Sequence, residues 1–313
     1  MLSIFWEEHK LSTFDFKIEY NKWLKHFDSK DKNCILQQSY HMLFETLIYK
    51  CILKARSIAP KDAENKIKLN GAIHYLIDKC FFVTQLMTIR RLTDKKGSDI
   101  ISLYQLLKLM KQNNKHLTRK NYFMILQEKG YHYDYSEIMK REEEYLQKNL
   151  KMDTVICVPE ELDWQKSYEF HSNFDKLSKT QFNNRTPEDI IDPSIFEKLL
   201  GKLESYESLR EHVVSFIAHS LNSEKIEKLD DEALRITFKQ LWEAQKIICS
   251  VINFVGLYLI GISDYGLLPL THGTILHYIE EPLVSKENKL NLYKEEEIFR
   301  NEIFSWKIEI DNL

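Results

Sequence analysis

Apolar residues recur at three- and four-residue spacing between 35 and 57, at Leu36, Tyr40, Leu43, Leu47, Cys51 and Leu53. This pattern predicts a helix that ends before Pro60, whose ring would break the hydrogen-bond ladder. The series Leu69, Ile73, Leu76, Cys80, Val83 and Met87 predicts a second helix, from a cap near Asp62 to about Leu92, with that stripe facing the interior. Gly97 closes it. Ser102 with Gln105 then has the form of a capping box ahead of Leu103, Leu106, Leu107 and Met110, so a third helix is expected to fold back as a tight hairpin. From about 111 to 200 the chain is polar, aromatic and punctuated by Pro159, Pro187 and Pro193, which predicts short helices and loops. Helical periodicity returns at 195–221. Thr237 with Gln240 offers a second capping box before a long apolar helix at 238–260. Gly261, Gly266, Pro269 and Gly273 mark a loop, and an amphipathic stretch around Tyr293 to Trp306 could pack on the core or on a second subunit.

Composition agrees with a helical reading. Only 8 Gly and 6 Pro occur in 313 residues, and charged residues make up 29%, so the expected fold class is all-α. A formal net charge of -3 excludes a whole-molecule field that attracts nucleic acid or membrane; any such attraction has to come from a local patch. The five cysteines are dispersed and never two residues apart, which points to reduced thiols in the cytosol and to no structural metal. The opening MLSIFWEEHK lacks the cationic start and apolar run of an export signal. Ile247 to Ile260, the most apolar stretch, is interrupted by Ser250, Asn253 and Gly256 and is too short to span a bilayer; it reads as a buried core helix.

No phosphate loop, HExxH, GxSxG or EF-hand pattern is present, and no cofactor is expected. The segment LREHVVSFIAHS, 209–220, stands out because His212 and His219 lie seven residues apart in an apolar run. Seven helical steps return to within roughly 20° of the start, so the two imidazoles share a face with Ser215 between them. Such a pair can act as general acid and general base near neutral pH. Two part-buried histidines with ordinary hydrogen-bond partners would give the same spacing. Two turns, about 10 Å, separate them along the helix, too far for one shared metal ion.

The LREHVVSFIAHS helix, the following ITFKQLWEAQKIICSVINFVGLYL and the earlier TIRRLTDKKGSDIISLYQLLKLM together resemble the HEPN superfamily, and within it the abortive-infection AbiU-type branch. The likeness runs over about 35–112 and 195–260, and its most specific points are Ala218-His219 and the turn Arg91-Leu92-Thr93-Asp94. The resemblance implies a HEPN-like four-helix bundle that dimerises, with active members cutting RNA without a metal in defence or toxin systems. It divides the chain into an N-terminal extension with the first half of the bundle (1–112), an inserted segment (113–194), the second half (195–260) and a C-terminal extension (261–313). Its implied partners are RNA, a second copy of the chain, and an antitoxin or other protein, in the cytoplasm and away from membranes. The family signature is Arg, then four to six residues, then His. The His carries over as His219; the Arg does not, since His212, Val213 and Val214 occupy the allowed positions and Arg210 faces the opposite side.

Two substitutes for that arginine are available. Protonated His212 could take its role, or Arg90 or Arg91 could supply the fixed charge, because the second helix's stripe continues onto 90, 91 and 94. Asp94 lies three and four residues from those arginines, so a plain salt bridge at a helix C-terminus is the competing reading. On these grounds the catalytic candidates are His219 and His212, with Arg90, Arg91, Asp94 and Ser215 as RNA-binding candidates. The string Lys111, Lys115, His116, Arg119, Lys120 and Tyr122 could track a phosphate backbone or be a solvated loop. The run Lys140 to Lys151 reads as an exposed, salt-bridged helix face, and Trp242 and Trp306 as anchors in a core or interface. A catalytically inactive bundle that binds RNA, a nucleotide or a protein is the alternative to a ribonuclease.

Overall fold

A computed structural model describes residues 16–61, 64, 70–96, 101–126, 135–149, 164–206, 209, 236–262, 294, 297 and 298. The described part is helical, with one isolated bridge between Thr118 and Ile190 and no strand among the described residues. The chain divides into a large unit, Met1–Pro269, and a small one, Leu270–Leu313. In the small unit only three helical positions, Lys294, Glu297 and Ile298, are described.

Among the large unit's described residues the α-helices are α1 (16–27), α2 (Ile35–Ile58), α3 (Gly71–Leu92), α4 (Leu103–Gln112), α5 (Arg119–Leu126), α6 (Tyr135–Asn149), α7 (Trp164–Ser178), α8 (Pro193–Glu204) and α9 (Phe238–Phe254). A π-helical turn, Val255–Ile260, extends α9 and stops at Gly261, whose φ of 74° is a left-handed conformation suited to glycine. α9 is the central element and packs on α2, α3 and α8; α4 packs on α8, and α6 on α7. With its π turn it forms 23 helical residues, long and apolar enough by composition to cross a membrane. Here Leu241, Ala244, Ile248, Val251, Ile252 and Val255 are instead buried against protein, as a core helix requires.

α2 follows its sequence pattern and ends at Ile58, where Ala59 turns extended ahead of Pro60. α3 starts later than expected: Asn70 caps it by accepting from the Ile73 amide at 3.1 Å, while Asp62 lies outside the described residues. The face it buries also differs. Ile73 and Leu76 are 41% and 58% exposed and Cys80 is exposed, whereas Phe81, Gln85, Leu86, Ile89 and Leu92 point inward. Two contacts set this rotation. Phe81 stacks on Tyr49 of α2 with ring centroids 3.8 Å apart. One turn on, Gln85 enters a buried polar cluster with Thr46 and Gln245. The expected stripe counted only hydrocarbon and so missed an inner face that carries an amide.

α4 buries all four residues its pattern singled out, Leu103, Leu106, Leu107 and Met110. It does not fold back along α3 as a tight hairpin; its main neighbour is α8. Ser102 accepts from the Gln105 amide at 3.0 Å, but the Gln105 side chain donates across the turn to the Lys95 carbonyl at 2.6 Å. The second capping box forms in full, with Thr237 and Gln240 exchanging side-chain and backbone bonds at the start of α9.

Candidate functional site

The end of α3 and the turn after it hold three of the expected site residues. Thr93 ties itself to the Ile89 carbonyl at 2.8 Å, and Ser102 donates to the Asp94 carbonyl at 2.8 Å, so the turn is closed by side chains of its own sequence. Asp94 does not pair with Arg90 or Arg91. Its carboxylate accepts from the Lys96 amide at 2.8 Å, an Asx turn that stabilises the chain reversal. The expected salt bridge is therefore replaced by a local cap. Arg90 is half-buried and Arg91 exposed, and neither has a carboxylate or hydrogen-bond partner among the described residues. Two fixed cations thus stand at the C-terminal end of a helix, where the helix dipole favours them and no described group neutralises them. His212, Ser215 and His219 lie outside the described residues.

Basic residues 111–122 do not make a phosphate-tracking stripe. Lys111 pairs with Glu197 at 3.2 Å, Tyr122 is buried, and Arg119 has no exposure at all. The Arg119 guanidinium donates from Nε to Asp189 at 3.0 Å, and from its terminal nitrogens to Asp175 at 2.7 Å and to the His171 carbonyl at 3.3 Å. It also lies 4.8 Å from the Phe174 ring centroid. Arg185 adds a two-pronged bond to Asp175, at 2.6 and 3.0 Å. The backbone joins in, with the Arg119 amide donating to the Asp189 carbonyl at 2.7 Å. Two arginines and two aspartates balance in charge, so a buried arginine is tolerated here.

Electrostatics fit this balance. Burial, then the nearby Arg119 and Arg185, push the His171 imidazole down to about 4 against an opposing pull from Asp175, so the ring is neutral at physiological pH. It stacks on Phe123, ring centroids 4.0 Å apart. Burial pushes the Asp175 and Asp189 carboxyls up, but their hydrogen bonds, from Arg185 and Arg119 and from Thr186 and Arg119 respectively, outweigh it and hold both below the usual carboxylate range. This cluster locks α5, α7 and the loop before α8 together through side-chain bonds among Arg119, Asp175, Arg185 and Asp189.

The sequence reading passed over three lysines, Lys176 on α7 and Lys198 and Lys202 on α8, which line a cavity with Phe254 and Tyr258. A signal for them was present: Lys198 and Lys202 are one helical turn apart, beside the apolar Ile195 and Leu199. Among the described residues, no group of three or more His, Cys, Asp or Glu side chains could hold a metal ion. No protein-family model, curated protein or solved structure matches the chain.

Proposed function

We propose that this chain acts on RNA, as a HEPN-like protein of the abortive-infection AbiU type in a cytoplasmic defence or toxin system, and that it works as a dimer. In this reading Arg90 or Arg91 supplies the phosphate-binding cation that the family signature would place before His219. The observation that carries it is that neither arginine has a counter-ion among the described residues, although Asp94 follows within one helical turn. A purely structural arginine-aspartate pair would have used that carboxylate.

Cleavage then needs no metal. One imidazole of the His212/His219 pair takes the proton from a ribose 2′-hydroxyl as its oxygen attacks the adjacent phosphorus. The other protonates the departing 5′-oxygen, giving a 2′,3′-cyclic phosphate and a free 5′-hydroxyl. The arginine stabilises charge gathering on the non-bridging oxygens. Ser215, which the helical spacing of the sequence expects between the imidazoles, serves as a phosphate hydrogen-bond donor.

The test is cleavage of a labelled RNA in excess chelator by the wild type, His219→Ala and the double variant Arg90→Ala/Arg91→Ala. Loss of cyclic-phosphate product in both variants supports the reading. Equal activity in all three, or none in the wild type, removes the catalytic step. A second reading, an RNA-binding bundle without cleavage, is favoured by the absence of arginine at the family's spacing before His219. It keeps RNA binding, lost on the double arginine substitution, with no product from any form.

A further inference from the structure

The cavity between α7, α8 and the end of α9 holds about 540 Å³, within the roughly 300–1,000 Å³ typical of small-molecule sites. Its walls are hydrocarbon and aromatic: Leu177 of α7, Ile195 and Leu199 of α8, and Phe254 and Tyr258 at the end of α9. The two rings have centroids 5.1 Å apart and planes tilted by 51°, so they make a bent wall and not a flat slot. Tyr258 is carried by the π-helical turn, a widening of the backbone that costs hydrogen-bond geometry and is frequent at functional sites. Along α8 the lining residues run from Ile195 to Lys202, two turns or about 10 Å. Such a space suits a flexible aliphatic chain.

Its rim carries charge of one sign. Lys176, Lys198 and Lys202 line the cavity and are exposed, and no described lining residue is acidic. None of the three ammonium groups has an ion pair or hydrogen bond among the described residues. Acidic residues of the same helices and of the residue before α8 are committed elsewhere: Asp175 to Arg119 and Arg185, Asp192 to Lys179, Glu197 to Lys111 and Glu204 to Lys95. The whole chain has a net charge of -3, so any attraction for an anion here is local. Apolar walls with a cationic rim complement an anion that has an apolar body.

We propose that this cavity binds a medium-chain carboxylate, with the alkyl chain against Leu177, Leu199, Phe254 and Tyr258 and the head group at the lysine rim. One ammonium group is enough for a carboxylate, so the three lysines need not converge on a point. Most of the affinity comes from the chain, since each methylene buried in full tightens binding about fourfold. This site is separate from the arginine turn and does not depend on the ribonuclease reading.

Calorimetric titration of the full chain with octanoate, decanoate, decyltrimethylammonium and inorganic tripolyphosphate, the amphiphiles kept below micelle formation, tests the site. Decanoate is expected to bind, roughly tenfold more tightly than octanoate because two further methylenes are buried. Decyltrimethylammonium has the same chain and the opposite charge, and should bind at least tenfold more weakly. Lys198→Glu/Lys202→Glu, both exposed so that the fold is kept, should weaken decanoate by tenfold or more. Lys115→Glu/Lys239→Glu makes the same charge change at exposed positions elsewhere and should leave decanoate binding unchanged. No binding at millimolar decanoate, equal affinity for octanoate, indifference to the rim reversal, or tighter binding of tripolyphosphate than of decanoate overturns the proposal. So does a decanoate affinity that falls as protein concentration rises, the sign that a second copy of the chain fills the cavity.

Discussion

Gln245 of α9 donates its side-chain amide to Oε1 of Gln85 in α3 at 2.6 Å, across 160 residues of chain. The same amide donates to Thr46 of α2 at 2.9 Å, and Gln85 passes the chain of bonds to Glu45 at 2.6 Å. Burial raises the Glu45 carboxyl, and the Gln85 hydrogen bond and His41 partly offset that rise. Three helices therefore share one polar cluster inside an otherwise apolar seam. Alternative rotations of α3 would strand its amide, so the cluster specifies which face turns inward.

Replacing either partner alone should be costly. Gln245→Leu leaves Gln85 Oε1 with only the long 3.4 Å bond from the Thr46 hydroxyl and takes away the donor to Thr46 Oγ1, and a loss of about 1–3 kcal/mol is expected in urea denaturation. Gln85→Leu/Gln245→Leu should lose less than the sum of the single changes, because the second substitution removes a group the first has already stranded.

Arg119 should tolerate nothing smaller than its own fork. Arg119→Leu leaves Asp175 and Asp189 facing each other with only Arg185 and Thr186 to hold them, and about 3–5 kcal/mol is expected to go. Arg119→Lys should recover little of this, since an ammonium cannot reach both carboxylates and the His171 carbonyl in one plane. Denaturant midpoints of the two variants check it.

Acid should weaken the fold in two separable steps. The unfolded chain protonates His171 near 6.5, the folded chain only at about 4, so stability is complete above the first value and falls as pH drops toward the second. The loss over that window is on the order of 2 kcal/mol after allowance for solvent screening. Asp175 and Asp189, held low in the fold, cost stability only below the ordinary carboxylate range. His171→Gln should flatten the upper step and keep the lower one, read from denaturant midpoints across pH.

Thiol reactivity should divide sharply. Cys80 is exposed, whereas burial pushes the Cys249 thiol up to about 12 and leaves it little thiolate at neutral pH. Peptide mapping after timed alkylation should find Cys80 modified early and Cys249 only once denaturant is added. Early modification of Cys249 would contradict its place in the α9 core.

What was readable from the chain follows one rule. Where a helix buries only hydrocarbon, as α4 does with Leu103, Leu106, Leu107 and Met110, spacing alone locates the element and its inner face. Where the inner face includes polar groups, spacing says less: α2 buries Gln38, Ser39 and Thr46 beside Leu36, and in α3, which buries Gln85, the first part of the stripe, Ile73, Leu76 and Cys80, lies exposed. α1 went unread, although Phe16, Trp23 and Phe27 are all buried. Arg119 looked like a surface cation because its partners, Asp175 and Asp189, lie 56 and 70 residues away and no local pattern announces them. For the proposed RNA site, Arg90 and Arg91 lie in the last turn of α3 and Asp94 follows it, and the lysine cavity was missed because its three cations come from two helices and its rings from a third. The imidazole pair falls outside the described residues.

Arg119 also adds one charge-bearing link to parts of the molecule that ring stacking and the Arg185–Asp175 pair already hold together. One guanidinium closes the first turn of α5, the loop around Pro187 and the middle of α7, with the Arg119 and Lys120 amides bonded to the carbonyls of Asp189 and Pro187. Loosening any one of these strips the others of their charge partner, so the three should open as a single cooperative unit. Their amide protons would then exchange with solvent at a common rate, set by the rupture of one ionic knot and not by the fraying of separate helices.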